Sequence, residues 1–296
     1  MQGGGPGAPR ELTGEWLPPR LRDLPSPPER LFLHGELPRG PAVAVVGTRD
    51  PSAEAVSFTR AFAAELAAEG VAILSGGAKG IDTAAHEGAL DVGGVTVVVT
   101  PAGFSHPYPK ENADLYKRVV STGGAYLSLF PDDVVAGRPH FFARNSCLVA
   151  LAHAVVVTQS PFISGAANAA KWARRLGRPL FVVPHSPWVT QGKGAIQELR
   201  RGGRPLDRSQ EVLKLLRSSG LHPLPAPPSQ GELWPAAAPA DPDPVLEALR
   251  QGATHADEIA ERTGLSLAAV QQRLLTLALS GVLVPGPLGS LKLATD

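Results

Sequence analysis

Two glycine turns in succession, each carrying a cation, are the residues of this chain best suited to chemistry. Gly47-Thr48-Arg49 closes one apolar run, and Ser75-Gly76-Gly77-Ala78-Lys79-Gly80-Ile81-Asp82 closes the next. Glycine lets a backbone approach a ligand closely. Thr48 brings a hydroxyl, and Arg49 a planar fork suited to phosphate. Where a helix follows such a turn, its first N–H groups can face an anion. Lys79 adds charge at the same edge, and Asp82 can cap the following helix or accept a hydrogen bond from the loop. Alone, Gly47–Arg49 reads more simply as a plain strand-to-helix turn. Together the two loops describe an edge that tracks phosphates. Neither fits G-x-G-x-x-G with a ribose-binding acid, nor G-x-x-x-x-G-K-[ST], which disfavours a dinucleotide oxidoreductase and a P-loop nucleotidase.

Further on, Pro139-His140-Phe141-Phe142-Ala143-Arg144-Asn145 sets two aromatics, an arginine and an asparagine at a helix start. Aromatics offer faces on which unpaired bases stack, and arginine pairs with phosphate. Core packing of both Phe is the competing explanation. Ser164-Gly165, in Ser160–Ala166, again stands at a helix N-terminus. For catalysis there is little: His86, His106, His140, His153 and His185 are scattered, and no metal-ligand spacing occurs. We expect no metal, no cofactor and no enzymatic activity. Cys147 lies on an apolar helical run and is expected in the core.

These loops need a frame. Apolar runs bounded by Gly or Pro read as buried parallel strands at Ala42–Val46, Val71–Ser75, Val95–Thr100, Ala125–Phe130, Ala154–Thr158 and Leu180–Val183. Helical stretches at Ser52–Glu69, Ile81–Leu90, Glu111–Ser121, Arg144–Ala152 and Gly165–Leu176 fill the crossovers. This alternation predicts an α/β fold, a Rossmann-like doubly wound parallel sheet, over residues 41–217. In such sheets ligands bind at the carboxyl ends of the strands. Residues 1–40 read as an irregular N-terminal arm with one short element near Glu29–Leu33. Residues 218–244 are a Pro-rich linker. In 245–296, helices at Val245–Gln251, Ala256–Arg262 and Leu267–Ser280 precede a hairpin, which is a winged-helix pattern.

Composition narrows the setting. The chain has 296 residues, 43% of them hydrophobic, and a net charge of +1. A single cysteine forbids an intrachain disulfide and points to a reducing cytoplasm. The opening residues lack the apolar core of a signal peptide, and no run approaches the ~20 apolar residues of a membrane span. The charge is unevenly spread. Residues 138–208 hold eleven Lys or Arg against Glu198 and Asp207. That block is the footprint of a polyanion partner, or else an Arg-rich solvated surface.

The motifs resemble a known family. SGGAKGIDTAAHEGAL resembles the SGxARGIDxxAHxGAL signature of the DprA (Smf) family, and Gly47-Thr48-Arg49 its phosphate loop. Gly103, Tyr108, Pro109, Glu111 and Asn112 are similar to its G-x-x-x-x-YP-x-EN segment. Phe141 and Arg144-Asn145 resemble its F-x-x-RN element, and Ser164-Gly165 its SG turn. The resemblance covers roughly residues 30–217. It implies a Rossmann-like core that binds single-stranded DNA, forms a homodimer and helps load the RecA recombinase in natural transformation. The implied DNA or phosphate ligands are Gly47, Thr48, Arg49, Ser75, Gly76, Gly77, Lys79, Gly80, Phe141, Arg144, Asn145, Ser164 and Gly165. Three positions depart from the pattern. Ser146 replaces a second Arg, Ile196 stands where the later segment has Asn, and Thr158-Gln159-Ser160 lacks an acid. These departures predict fewer DNA contacts.

Two other readings stay open. One is a nucleotide-binding or nucleotide-hydrolysing enzyme akin to phosphoribohydrolases, although Ser160–Ala170 lacks the glutamate of their PGGxGTxxE motif. The other is a winged-helix regulator. Residues 241–296 carry four basic and seven acidic side chains, too few cations for a groove reader, which needs several phosphate contacts.

Overall fold

In the computed structural model, the described residues are 8–222, 244–251, 253, 255–267, 269–271, 274, 277, 283–285 and 291–293. They fall into two compact units, Met1–Pro227 and Pro228–Asp296.

The first unit is built on a nine-stranded sheet. In chain order it comprises β1 (Arg10–Thr13), β2 (Arg30–Gly35), β3 (Ala42–Val46), α1 (Ala53–Ala68), β4 (Ala72–Ser75), α2 (Ile81–Asp91), β5 (Thr96–Thr100), α3 (Ala113–Ser121), β6 (Ala125–Ser128), α4 (Arg138–Leu151), β7 (Ala154–Val157), α5 (Gly165–Arg175), β8 (Leu180–Val182), α6 (Lys193–Arg200), β9 (Arg204–Pro205) and α7 (Ser209–Ser218). The order across the sheet is β1-β2-β6-β5-β4-β3-β7-β8-β9. The chain builds outward from β3 through β4, β5 and β6, then returns to the other side of β3 with β7. All pairs from β6 to β9 are parallel.

Side chains alternate across the strands, so both faces are buried. On β3, Ala42, Ala44 and Val46 pack into one core with α4 and α5 residues. Val43 and Val45 pack into the other with α1, α2 and α7. This is the doubly wound arrangement the apolar runs predict, and each of the six expected strands is present. Two helices had no counterpart among the expectations, α6 and α7. Val212, Leu213 and Leu216 bury one face of α7 in the second core.

The N-terminal segment is a correction. It is not an irregular arm: β1 and β2 pair antiparallel, and β2 adds antiparallel to β6. Leu31 and Leu33, two residues apart, both face the core. That period-two signal is the element expected near Glu29–Leu33. The turn between the strands buries Leu21 and Leu24. Arg20 Nη2 donates to Ala152 O at 3.0 Å, so this segment also satisfies a carbonyl at the C-terminal end of α4.

In the second unit, α8 (Pro244–Arg250) and α9 (Ala256–Thr263) are followed by helical residues between 267 and 277, then β10 (Leu283–Pro285) paired antiparallel with β11 (Leu291–Leu293). Val270, Leu274 and Leu277 form a small core with Val245, Leu249 and Ile259, while Leu267 is exposed. Most of the Pro-rich 218–244 stretch lies outside the described residues.

Candidate nucleic-acid interface

The reversal of strand order between β3 and β7 opens a crevice at their carboxyl ends, the position where open α/β sheets bind ligands. Thr48 N donates to Gln159 O at 2.7 Å, which ties the two diverging loops at the base. A cleft of about 630 Å³ opens there. Its walls come from the turn after β3, the loop before α2, the first turns of α4, and the start of α5. Arg49, Arg138 and Arg144 line it against a single carboxylate, Asp82.

Arg49 is exposed at the rim. Its guanidinium carbon stands 5.1 Å from the Phe141 ring centroid and 5.8 Å from that of Tyr108. The two rings meet edge to face at 5.1 Å. A planar cation is thus held beside two aromatic surfaces, one of them, Tyr108, 36% exposed. Phe141 is half-buried, neither enclosed in the core nor fully open to the cleft. Phe142, the second aromatic of that helix start, stands at the same cleft at 50% exposure and so is not packed in the core, and Ile163 stands beside it at 90%.

Arg144 forms the floor. It is only 5% exposed, and its Nη1 lies 4.0 Å from Asp82 Oδ2. Its Nε has no hydrogen-bond partner. Gly76 makes the room: a Cβ there would sit 1.5 Å from Arg144 Nη1. Burial pulls the Arg144 guanidinium below its usual value, although Asp82 counteracts this. Burial likewise pushes the Asp82 carboxyl up, opposed by Arg144 and by the Ala78 N–H that donates to it. The pair is therefore a buried ionic contact, with guanidinium hydrogen-bonding capacity left towards the cleft.

The other expected residues take varied places. Thr48 accepts from Asp50 N at 3.2 Å, which leaves its own hydroxyl proton to give. Gly47 packs on Ile81, where a Cβ would come within 2.4 Å. Ser75 is fully buried and donates to Val45 O, so it staples β4 to β3 and does not face the cleft. Gly77 turns its carbonyl to Asn112 and Tyr116, which donate to it at 2.8 and 2.7 Å. Gly80, immediately before α2, sits against the Thr48 carbonyl. Lys79 points away from the cleft, into a neighbouring groove that also contains Arg49 and Tyr108, and pairs with Glu111 at 2.7 Å. Asn145 spends both amide protons on Gly165 O and Asn168 Oδ1, each at 3.2 Å, and so braces α4 against α5. Ser164 caps α5 through Ala167 N at 3.0 Å. Asn112 and Tyr116 are supports that the sequence did not reveal as such; the Gly77 carbonyl they share lies 35 and 39 residues away.

The basic block shrinks on folding. Arg174 and Arg201 both pair with buried Glu198, Arg178 with Asp23, and Arg208 with Asp207. His86 is fully buried, with Nδ1 2.7 Å from Thr96 Oγ1. Thr96 gives its proton to Ile73 O, so His86 is the donor and its Nε2 is left without a partner. Cys147 is buried in the core, its thiol pushed up to about 12 by burial. Among the described residues no group of His, Cys, Asp or Glu could hold a metal, and no helix is long and apolar enough to cross a membrane.

Fold and site together define a Rossmann-like α/β protein followed by a winged-helix unit. A family model described as DNA recombination-mediator protein A matches residues 12–217, and the DprA winged helix domain matches 225–287. The chain belongs to the DNA recombination-mediator protein A (DprA/Smf) family. It is 34% identical over 283 residues to Protein Smf of Escherichia coli K12, covering 94% of this chain and 75% of that relative. It is 37% identical over 242 residues to a putative DNA processing protein DprA of Mycobacterium tuberculosis, but spans only 61% of that protein's length. Among solved structures it is similar to DprA of Streptococcus pneumoniae, with a TM-score of 0.65, 31% identity, and coverage of 69% of this chain and 73% of the other. It is also similar to DNA processing protein A of Helicobacter pylori, described for its unique single-stranded DNA binding mode. There the TM-score is 0.64, the identity 29%, and the coverage 71% and 97%.

Proposed function

We propose that this protein binds single-stranded DNA in the cleft between β3 and β7 and does not cleave it. The observation that carries the reading is the joining, in one cleft, of an exposed Arg49 flanked by Tyr108 and Phe141 with a buried Arg144 on the floor. Cations that track a backbone, next to rings on which bases stack, are the usual means of holding unpaired strands without reading sequence. The cleft is a groove of side chains and helix starts and presents no long helix for insertion into a duplex groove. The H. pylori relative supports the same ligand. Family membership supports extending the proposal to a cytoplasmic homodimer that protects incoming DNA and helps load the RecA recombinase.

Replacing Arg49 with Ala removes the exposed fork while leaving the core untouched. It is expected to weaken oligothymidylate binding by about 1–3 kcal/mol, the range for hydrogen bonds to charged groups. Fluorescence polarisation with a labelled strand measures this. Wild-type affinity in a folded Arg49→Ala protein would move the site elsewhere.

A further inference from the structure

The cleft does not end at Phe142. The same ring also lines a second, smaller groove of about 280 Å³ between α4 and α5. Ser146 stands on its α4 wall; Asn168, Lys171, Trp172 and Arg175 stand on its α5 wall. The α5 positions follow a spacing of three, four and seven, which puts them on one helix face.

We infer that this groove is a second subsite for the same single strand, taking the nucleotides that leave the main cleft past Phe142. The inference rests on the reading of the cleft as a single-strand site. The groove chemistry is one-sided. No acid lines it. Lys171 and Arg175 are both exposed. Asn168 Oδ1 is occupied by Asn145 Nδ2 at 3.2 Å, so Asn168 has its NH₂ donors left to offer. Every charged or amide group available there suits phosphate. Trp172 is half-buried, its body packed against the sheet core, which fixes the ring as a platform. The Arg175 guanidinium carbon lies 5.0 Å from the Trp172 ring centroid. A stacked arginine keeps its in-plane N–H groups free for an anion. Aromatic platform, planar cation and continuity with the cleft together match an unpaired strand. On the α4 side Ser146 brings no charge, so both cations of the groove come from α5.

The test compares wild type with the Lys171→Ala/Arg175→Ala double variant on dT4 and dT15, by fluorescence polarisation across a salt series. The four-nucleotide probe is confined to the cleft; the longer one reaches the groove. The variant should bind dT4 as wild type does and lose about tenfold on dT15, with the salt slope on dT15 falling by about 1.4 for two phosphates at 0.7 each. The Lys171→Arg/Arg175→Lys exchange keeps both charges and should restore the salt slope on dT15, with the affinity recovered only in part because lysine lacks the stacked planar fork. Equal loss on both probes, or no loss on dT15, overturns the subsite. So does a change in the variant's sedimentation without DNA, which would assign the groove to a second copy of the chain. Failure of the underlying reading looks different: wild type would bind neither probe, or Arg49→Ala would bind both as tightly as wild type.

Discussion

Arg144→Met is expected to lower the unfolding free energy at pH 7 by about 3–5 kcal/mol, the usual cost of removing one partner from a buried ion pair. Asp82 is 5% exposed and would lose its nearest cation, leaving the Ala78 N–H at 3.2 Å and the weaker pulls of Ser75 and Arg49 as compensation. The cost should depend on pH. Burial already holds the Asp82 carboxyl above its ordinary value, and Arg144 is the main force pulling it back. A raised carboxyl adds stability that is fully present below the unfolded value near ~3.9 and is lost as pH rises through the folded one. Without Arg144 the folded value climbs further, so more stability is missing at neutral pH and it returns on acidification. Urea unfolding at pH 7 and pH 5 measures both quantities. A small, pH-independent loss would mean that Arg144 and Asp82 are not energetically coupled. Any loss of DNA binding in this variant is interpretable only at temperatures where it remains folded, which is why Arg49 is the better probe of the cleft.

His86 should give the protein a steep acid sensitivity. Burial, assisted by the charge of Arg144, lowers this imidazole to about 3. In the unfolded chain it titrates near ~6.5. Between those values the unfolded state binds one more proton, so stability falls as pH falls, by about 1.4 kcal/mol per unit. From pH 7 to 5 the contribution is about 2 kcal/mol, most of it on the acid side of pH 6.5. His86→Gln keeps a donor for Thr96 and removes the titration. Its stability should therefore drop about 2 kcal/mol less than wild type over that interval. His153, lowered to about 4 largely by burial, titrates in the same window but remains in both proteins, so the comparison cancels it. Identical slopes in the two proteins would show that His86 is protonated when folded.

What the sequence revealed follows from the range of the interactions involved. The strands were legible because a strand buried on both faces must be apolar at every position, as in the Ala42–Val46 run. The two glycine loops were legible because turn chemistry is local. The depth of Arg144 was not. The helix was expected to begin at Arg144, whereas α4 begins at Arg138, so the inward stripe that Arg144 shares with Cys147, Leu148 and Leu151 was hidden. Its niche exists only because Gly76, in the loop after β4, has no Cβ. Lys79 was placed at the correct edge of the sheet, but its partner Glu111 is remote in sequence. Residues 10–13 carry no strand signal of their own and owe that state to pairing with β2. The basic block was overread for the same reason: Glu198 neutralises Arg174 as well as its near neighbour Arg201, and Asp23 reaches Arg178 from the N-terminal segment.

The most direct test of the central claim is a titration of the whole protein with one labelled oligonucleotide, single-stranded and annealed to its complement, over a series of salt concentrations. The account predicts tighter binding to the single strand at every salt concentration. It also predicts a linear fall of log affinity with log salt, at about 0.7 per phosphate contacted. Equal or tighter binding to the duplex, or an affinity that does not respond to salt, would contradict it.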